Sequence, residues 1–224
     1  MVNNSKQIKT KKRVIDHGEV FTADREVQSM CDLVKEETSR IDSRFLEPAC
    51  GDGNFLSEIL KRKLTAVKNQ YGRYVSDYEK YSFVAVSSIY GIDILDDNVI
   101  ECRKRLYDIW NEAYTSIFKN NANEECRLSI KYVLSKNIIC GDALTLLDST
   151  GKPIVFSEWS LLGTQIKRRD YTMANLVETR SYYDLPLLQE TQNEDVIIPK
   201  PIQEFPLTAY RSIYKHGWFL LIYL

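Results

Sequence analysis

Apolar residues recur at helical spacing in three stretches of the chain and gather into short runs between them. Val27, Met30, Cys31 and Val34 step by three or four residues behind Thr22 or Asp24, either of which can cap a helix that ends near Thr38. Phe55, Leu56, Ile59, Leu60, Leu64 and Val67 make one face of a second helix. A third, longer helix starts at Asp96 or Asp97 and carries Val99, Cys102, Leu106, Ile109, Ala113 and Ile117 opposite a charged face. Between them, Arg44–Leu46, Phe83–Ile92, Asn137–Cys140 and Pro153–Phe156 read as four strands. Residues 69–81 are polar and tyrosine-rich and read as an insertion, and Ile130–Leu134 fits either element type.

Strands alternating with helices of this length predict an α/β domain: a doubly wound, mostly parallel sheet with helices on both faces. Residues 1–13, with Lys6, Lys9, Lys11, Lys12 and Arg13, read as a mobile basic arm, either solvated or touching phosphate. Residues 14–224 are expected to form one domain, of which 160–224 is an irregular extension. Prolines at 199, 201 and 206 forbid a helix around them, and 210–214 with 218–224 read as an edge hairpin about His216-Gly217.

Composition narrows the classes. Thirty basic against 31 acidic residues give a net charge of -1, so a nucleic-acid partner has to be held by a local patch or by another subunit. Five scattered cysteines without a CxxC pair argue against a disulfide framework or a zinc ribbon and for a reducing compartment, and no His spacing supports a metal site. The longest apolar run, Trp218–Leu224, is well short of the ~20 residues of a membrane span, so a cytoplasmic location is expected.

In an open parallel sheet, ligands bind beyond the carboxyl ends of the strands. Three acidic turns stand there: Gly51-Asp52-Gly53 after the first strand, Asp93 after the second and Asp142 after the third. The glycines admit positive φ and close backbone approach, Asp93 can accept from a ribose diol, and Asp142 can accept from an exocyclic amine. Each Asp can equally be a helix cap. The turn lacks the spacing of a dinucleotide fingerprint and the Gly-Lys-Ser/Thr of a phosphate loop, which favours a nucleoside without phosphate.

The run Leu46-Glu47-Pro48-Ala49-Cys50-Gly51-Asp52-Gly53-Asn54-Phe55-Leu56 resembles the first S-adenosylmethionine motif of amino-group DNA methyltransferases, above all the adenine-N6 enzymes of restriction-modification systems. His17-Gly18-Glu19-Val20-Phe21-Thr22 resembles the segment that closes over the methionine end of the cofactor, although Ala23 stands where that family usually has proline. Gly91-Ile92-Asp93-Ile94 resembles the ribose-binding strand end and Cys140-Gly141-Asp142-Ala143-Leu144 the adenine-contacting one. The matches run in family order over roughly residues 13–150. The resemblance implies a class I, Rossmann-like methyltransferase that binds S-adenosyl-L-methionine through His17, Phe21, Thr22, Glu47, Pro48, Ala49, Cys50, Gly51, Asp52, Gly53, Asp93, Ile94, Asp142 and Ala143.

The family's fourth motif, Asn or Asp followed by Pro-Pro and an aromatic residue, is missing, since the chain has no Pro-Pro pair. Ser157, Glu158 and Trp159 stand at the corresponding place and offer an acceptor and a ring; either they substitute for the motif, or Trp159 packs on the sheet and Glu158 is a surface carboxylate. Lys167, Arg168 and Arg169 are the candidate DNA contact, with a solvated basic face as the alternative. The expected function is methyl transfer to adenine N6 in DNA, with a separate specificity or catalytic subunit. A cofactor-binding or regulatory subunit without activity, and a methyltransferase for RNA or protein, are the competing readings.

Overall fold

The structure, a computed structural model, describes residues 10–17, 22–177 and 199–217. It is an α/β fold with a mixed sheet. Three short helices, α1 (Lys11–His17), α2 (Asp24–Leu33) and α3 (Lys35–Ser39), precede β1 (Phe45–Glu47). Two helices, α4 (Asn54–Tyr71) and α5 (Val75–Ser87), lead to β2 (Ile89–Asp93), and two more, α6 (Asp96–Phe118) and α7 (Glu124–Asn137), lead to β3 (Ile138–Asp142). β1 pairs with β2 and β2 with β3, both in parallel, as strands joined by helical crossovers must. The two-residue β4 (Leu147–Asp148) then turns back antiparallel on β3.

A second sheet follows. β5 (Val155–Leu162) and β6 (Gln165–Thr172) form an antiparallel hairpin in full register, and β6 is extended by β7 (Gln203–Glu204) and β8 (Thr208–Ala209). Strand β2 shows how the layers meet, because successive side chains point to opposite faces. A Cβ on Gly91 would strike Leu56 of α4 and Cys50, so this face lies against the helices. Tyr90 and Ile92 point the other way into a small core with Ile154, Phe156 and Met173, where the hairpin takes the place of helices.

Several expectations are corrected. Helices do not cover both faces of the parallel sheet, since the start of the hairpin occupies one of them. Residues 69–81 are not an insertion, and 83–87 are not strand: α4 runs to Tyr71 and α5 takes Val75–Ser87. The buried set Tyr78, Ser82, Phe83, Ala85 and Val86 has helical spacing, and a run of apolar residues alone does not distinguish a buried helix from a strand. Polar Glu79 and Ser82 disguised it; both are fully buried because Tyr210, Arg211 and Tyr114 bond Glu79 and Trp110 bonds Ser82. The ambiguous stretch 130–134 is helical, within an α7 whose N-cap Asn123 accepts from Cys126 N. Pro153–Phe156 is not a fourth parallel strand, 165–170 is strand rather than irregular patch, and Tyr210–Gly217 is a 3-10 segment rather than half a hairpin. Residues 218–224 lie outside the described residues. In the basic arm, Arg13 belongs to α1 and is held by Asp97 at 2.6 Å; residues 1–9 lie outside the described residues.

Candidate functional site

The carboxyl ends of β1, β2 and β3 open into one crevice of about 520 Å³, the size of an ordinary small-molecule site. The first wall is the turn Pro48–Asp52. It leaves β1, is tied to β2 by Cys50 N donating to Ile92 O at 2.8 Å, and enters α4 through left-handed Gly51 (φ 53°) and Gly53 (φ 90°). Gly53 is required twice over, because a Cβ there would come within 2.7 Å of Cys102 Sγ on α6. Gly53 itself does not line the crevice; it aims the α4 N-terminus at it, and Asn54 and Phe55 do line it.

Asp93, at the end of β2, joins the two halves of the site. Its Oδ2 accepts from Gly51 N at 2.9 Å, and its Oδ1 accepts from Leu95 N at 2.9 Å and from Asn98 Nδ2 at 3.2 Å. A carboxylate has about four lone-pair sites, so one acceptor position is left on Oδ2. Asp142, at the end of β3, is less engaged: Oδ1 accepts from Leu144 N at 2.8 Å, and Oδ2 has no partner among the described residues. Ile94 and Leu144 stand beside these two carboxylates, 59% and 94% exposed. Exposed apolar side chains beside these carboxylates offer a surface that a ligand can cover.

Two further carboxylates complete the lining. Glu47 ends β1 and has no cationic partner among the described residues; burial raises its pKa, with the Ala49 backbone N–H opposing. Asp52 also lines the crevice, with its oxygens 2.7 and 3.3 Å from the Arg105 guanidinium on α6. Asp52 therefore meets the crevice with its charge balanced by Arg105. Cys50 is buried, and its thiol pKa is raised by the hydrogen bond that its S–H makes to Cys102 and by burial, so it acts as a packing group.

Of the expected cofactor residues, the structure brings together Thr22, Glu47, Pro48, Ala49, Cys50, Gly51, Asp52, Asp93, Ile94, Asp142 and Ala143. His17 closes α1, but its side chain, like the whole of Phe21, lies outside the described residues. Sequence reasoning missed Asn54 and Asn98, which line the crevice, and Arg105, which lies behind it.

The expected catalytic group is not at this site. Trp159 Nε1 donates to Asn137 Oδ1 at 2.9 Å, and Asn137 directly precedes β3, so the ring lies at the amino ends of the strands. Asp142 is at the far end of β3, about 13 Å away along five residues of strand. Trp159 is a core residue, edge-on to Phe83 and Tyr132. Glu158 pairs with Arg44 at 2.6 Å, and Ser157 Oγ is bonded to Asp170 at 2.8 Å, so all three have structural employment.

The expected DNA contact changes as well. Arg168 is buried and bonded to Asp170, Ser157 and Tyr132, while Lys167 is paired with Glu204 and Arg169 faces Glu158 and Glu204. The patch is basic in sequence and balanced in space. Among the described residues no group of three His, Cys, Asp or Glu could hold a metal ion, and no helix is long and apolar enough to cross a membrane.

Fold and site together define an α/β protein with a carboxylate-lined crevice at the ends of a parallel three-stranded core. No protein-family model, curated protein or solved structure matches the chain.

Proposed function

We propose that the chain is a class I, Rossmann-like S-adenosylmethionine-dependent methyltransferase domain that acts on adenine N6 in DNA within a cytoplasmic restriction-modification enzyme. One observation carries the reading: Glu47, Asp93 and Asp142 line the crevice with no cation paired to them among the described residues, and no described Lys, Arg or His side chain lines it. Such a lining repels phosphate and attracts a cation, which argues against NAD and ATP and for a sulfonium nucleoside. Glu47 suits the ammonium of a methionine moiety, the open position on Asp93 a ribose hydroxyl, and Asp142 an adenine amine between Ile94 and Leu144. When bound, the cofactor supplies an electrophilic methyl on positively charged sulfur. The chain's own residues contribute orientation and a charge-matched environment, so catalysis is by placement.

The group that orients the target amine has to come from elsewhere, because Glu158 and Trp159 are occupied at the opposite end of the strands. β1 is an edge strand among the described residues, with Leu46 exposed on it, and its last residue, Glu47, lines the crevice. A separate catalytic or specificity subunit adding a strand there would deliver that group. The same observation favours a second reading, a cofactor-binding regulatory subunit that does no chemistry alone.

Calorimetric titration tests the first step. S-adenosylmethionine and S-adenosylhomocysteine should bind with 1:1 stoichiometry, and ATP and NAD should not; equal binding of ATP overturns the reading. Methyl transfer to unmethylated DNA, with and without a partner subunit, then separates the two readings. Transfer to RNA or protein alone would replace the DNA substrate.

A further inference from the structure

Arg105 lies on the charged side of α6, where a basic residue reads as solvated, yet it is only partly exposed and holds both sides of the turn that forms the first wall of the crevice. Its guanidinium grips the Asp52 carboxylate with two nitrogens, at 2.7 and 3.3 Å, and also donates to Asn54 Oδ1. Asn54 in turn donates from Nδ2 to Thr22 O at 3.1 Å. One cation on α6 thereby connects the glycine turn, the first residue of α4 and the segment that precedes α2. All three linked residues, Thr22, Asp52 and Asn54, line the crevice; Arg105 does not.

The turn needs such a fastening. Gly51 and Gly53 are both left-handed, and glycine admits many other backbone conformations at little cost, so one internal hydrogen bond, Gly53 N to Cys50 O at 2.9 Å, leaves much of the turn's shape to outside contacts. A planar fork that satisfies a carboxylate and an amide oxygen together fixes their relative direction, which a lysine's single ammonium cannot do.

We infer that Arg105 is a positioning residue for the crevice: through Asp52 and Asn54 it holds the glycine turn and Thr22 in the geometry that receives the nucleoside ligand. The ligand part of this inference rests on the function proposed above; the holding of the turn does not.

The test uses the full chain and the variants Arg105→Met, Arg105→Lys and Asp52→Asn. Without ligand, hydrogen exchange should accelerate in Arg105→Met at the amides of Gly51 and Gly53, which are bonded to Asp93 Oδ2 and Cys50 O, while exchange in β3 stays as it was. Unchanged exchange at those two amides overturns the inference. S-adenosylhomocysteine affinity should fall about 10- to 100-fold in Arg105→Met, the scale of losing hydrogen bonds to a charged group that hold a binding wall. Arg105→Lys should restore part of it, and adding Arg105→Met to Asp52→Asn should cost less than on wild type, because the two act as one unit. Full affinity in Arg105→Met, or additive losses in the double variant, also overturns it. Accelerated exchange in a protein whose wild type binds no S-adenosylhomocysteine supports the holding role and overturns the proposed ligand instead.

Discussion

The two ends of the parallel strands bury polar groups in contrasting states. At the amino ends, Lys63 is fully buried and donates to Arg40 O, Ile41 O, Ser43 O and Ser88 Oγ at 2.6–3.1 Å. Nearby, Asn137 uses both amide hydrogens on Ser87 O and Ile89 O and accepts from Trp159. At the carboxyl ends, among the described residues, Glu47 has no cation, Asp142 keeps one oxygen open, and apolar Ile94 and Leu144 are left uncovered. A groove of about 620 Å³ also opens at the amino ends, against about 520 Å³ for the crevice, so volume does not separate the two and the state of the polar groups does. Satisfied polar groups fix a structure, whereas acceptors held beside a cavity without partners are available to a ligand.

The strongest way to break this comparison is Trp159→Ala. The ring is 9% exposed and packs against Phe83 and Tyr132, so its removal should lower unfolding free energy by about 3–5 kcal/mol in urea denaturation. Ligand affinity measured well below the transition should stay unchanged. A stable variant that has lost only function would move Trp159 into the active machinery.

A pH series probes the same end. Burial lowers the pKa of Lys63 from its ordinary 10.5 to about 7. Between those values the unfolded chain holds a proton that the folded chain lacks, so stability should rise as pH increases from about 7 toward 10.5. Below about 7 the group is charged in both states and adds no slope. The slope cannot exceed about 1.4 kcal/mol per pH unit, and Lys63→Met should remove it at the cost of stability near neutral pH, because the loop carbonyls lose their donor. An identical slope in wild type and Lys63→Met would show that the ammonium is solvated.

How much of this was legible in the sequence follows the same division. The crevice could be read because its residues sit at strand ends, where glycine and aspartate interrupt apolar runs and keep their order: Gly51-Asp52-Gly53, Asp93, Asp142. The opposite end could not, since Lys63, Glu79 and Arg168 look like surface charges until tertiary partners are known. The hairpin was missed for a related reason. In β6, Ile166, Arg168 and Asp170 alternate as a buried face, but two of those three are charged, so the period-2 signal reads as a polar patch. Arg105 escaped because its partners are about fifty residues away, and no local pattern marks a long-range fork.

The finest distinction lies within the crevice, between Asp93 and Asp142. Asp93 serves three internal donors and keeps about one acceptor position, so Asp93→Ala should weaken S-adenosylhomocysteine binding by about 1–3 kcal/mol and also reduce stability, because the Gly51 and Leu95 amides lose their acceptor. Asp142 serves one internal donor on a more exposed turn, so Asp142→Ala should cost about 1 kcal/mol of affinity, the net worth of one hydrogen bond, with a melting temperature close to wild type. Matched calorimetry and thermal melts read both quantities. Equal stability losses would mean that the two carboxylates are merely caps of the following turns, and the difference between the ends of the strands would then carry no functional meaning.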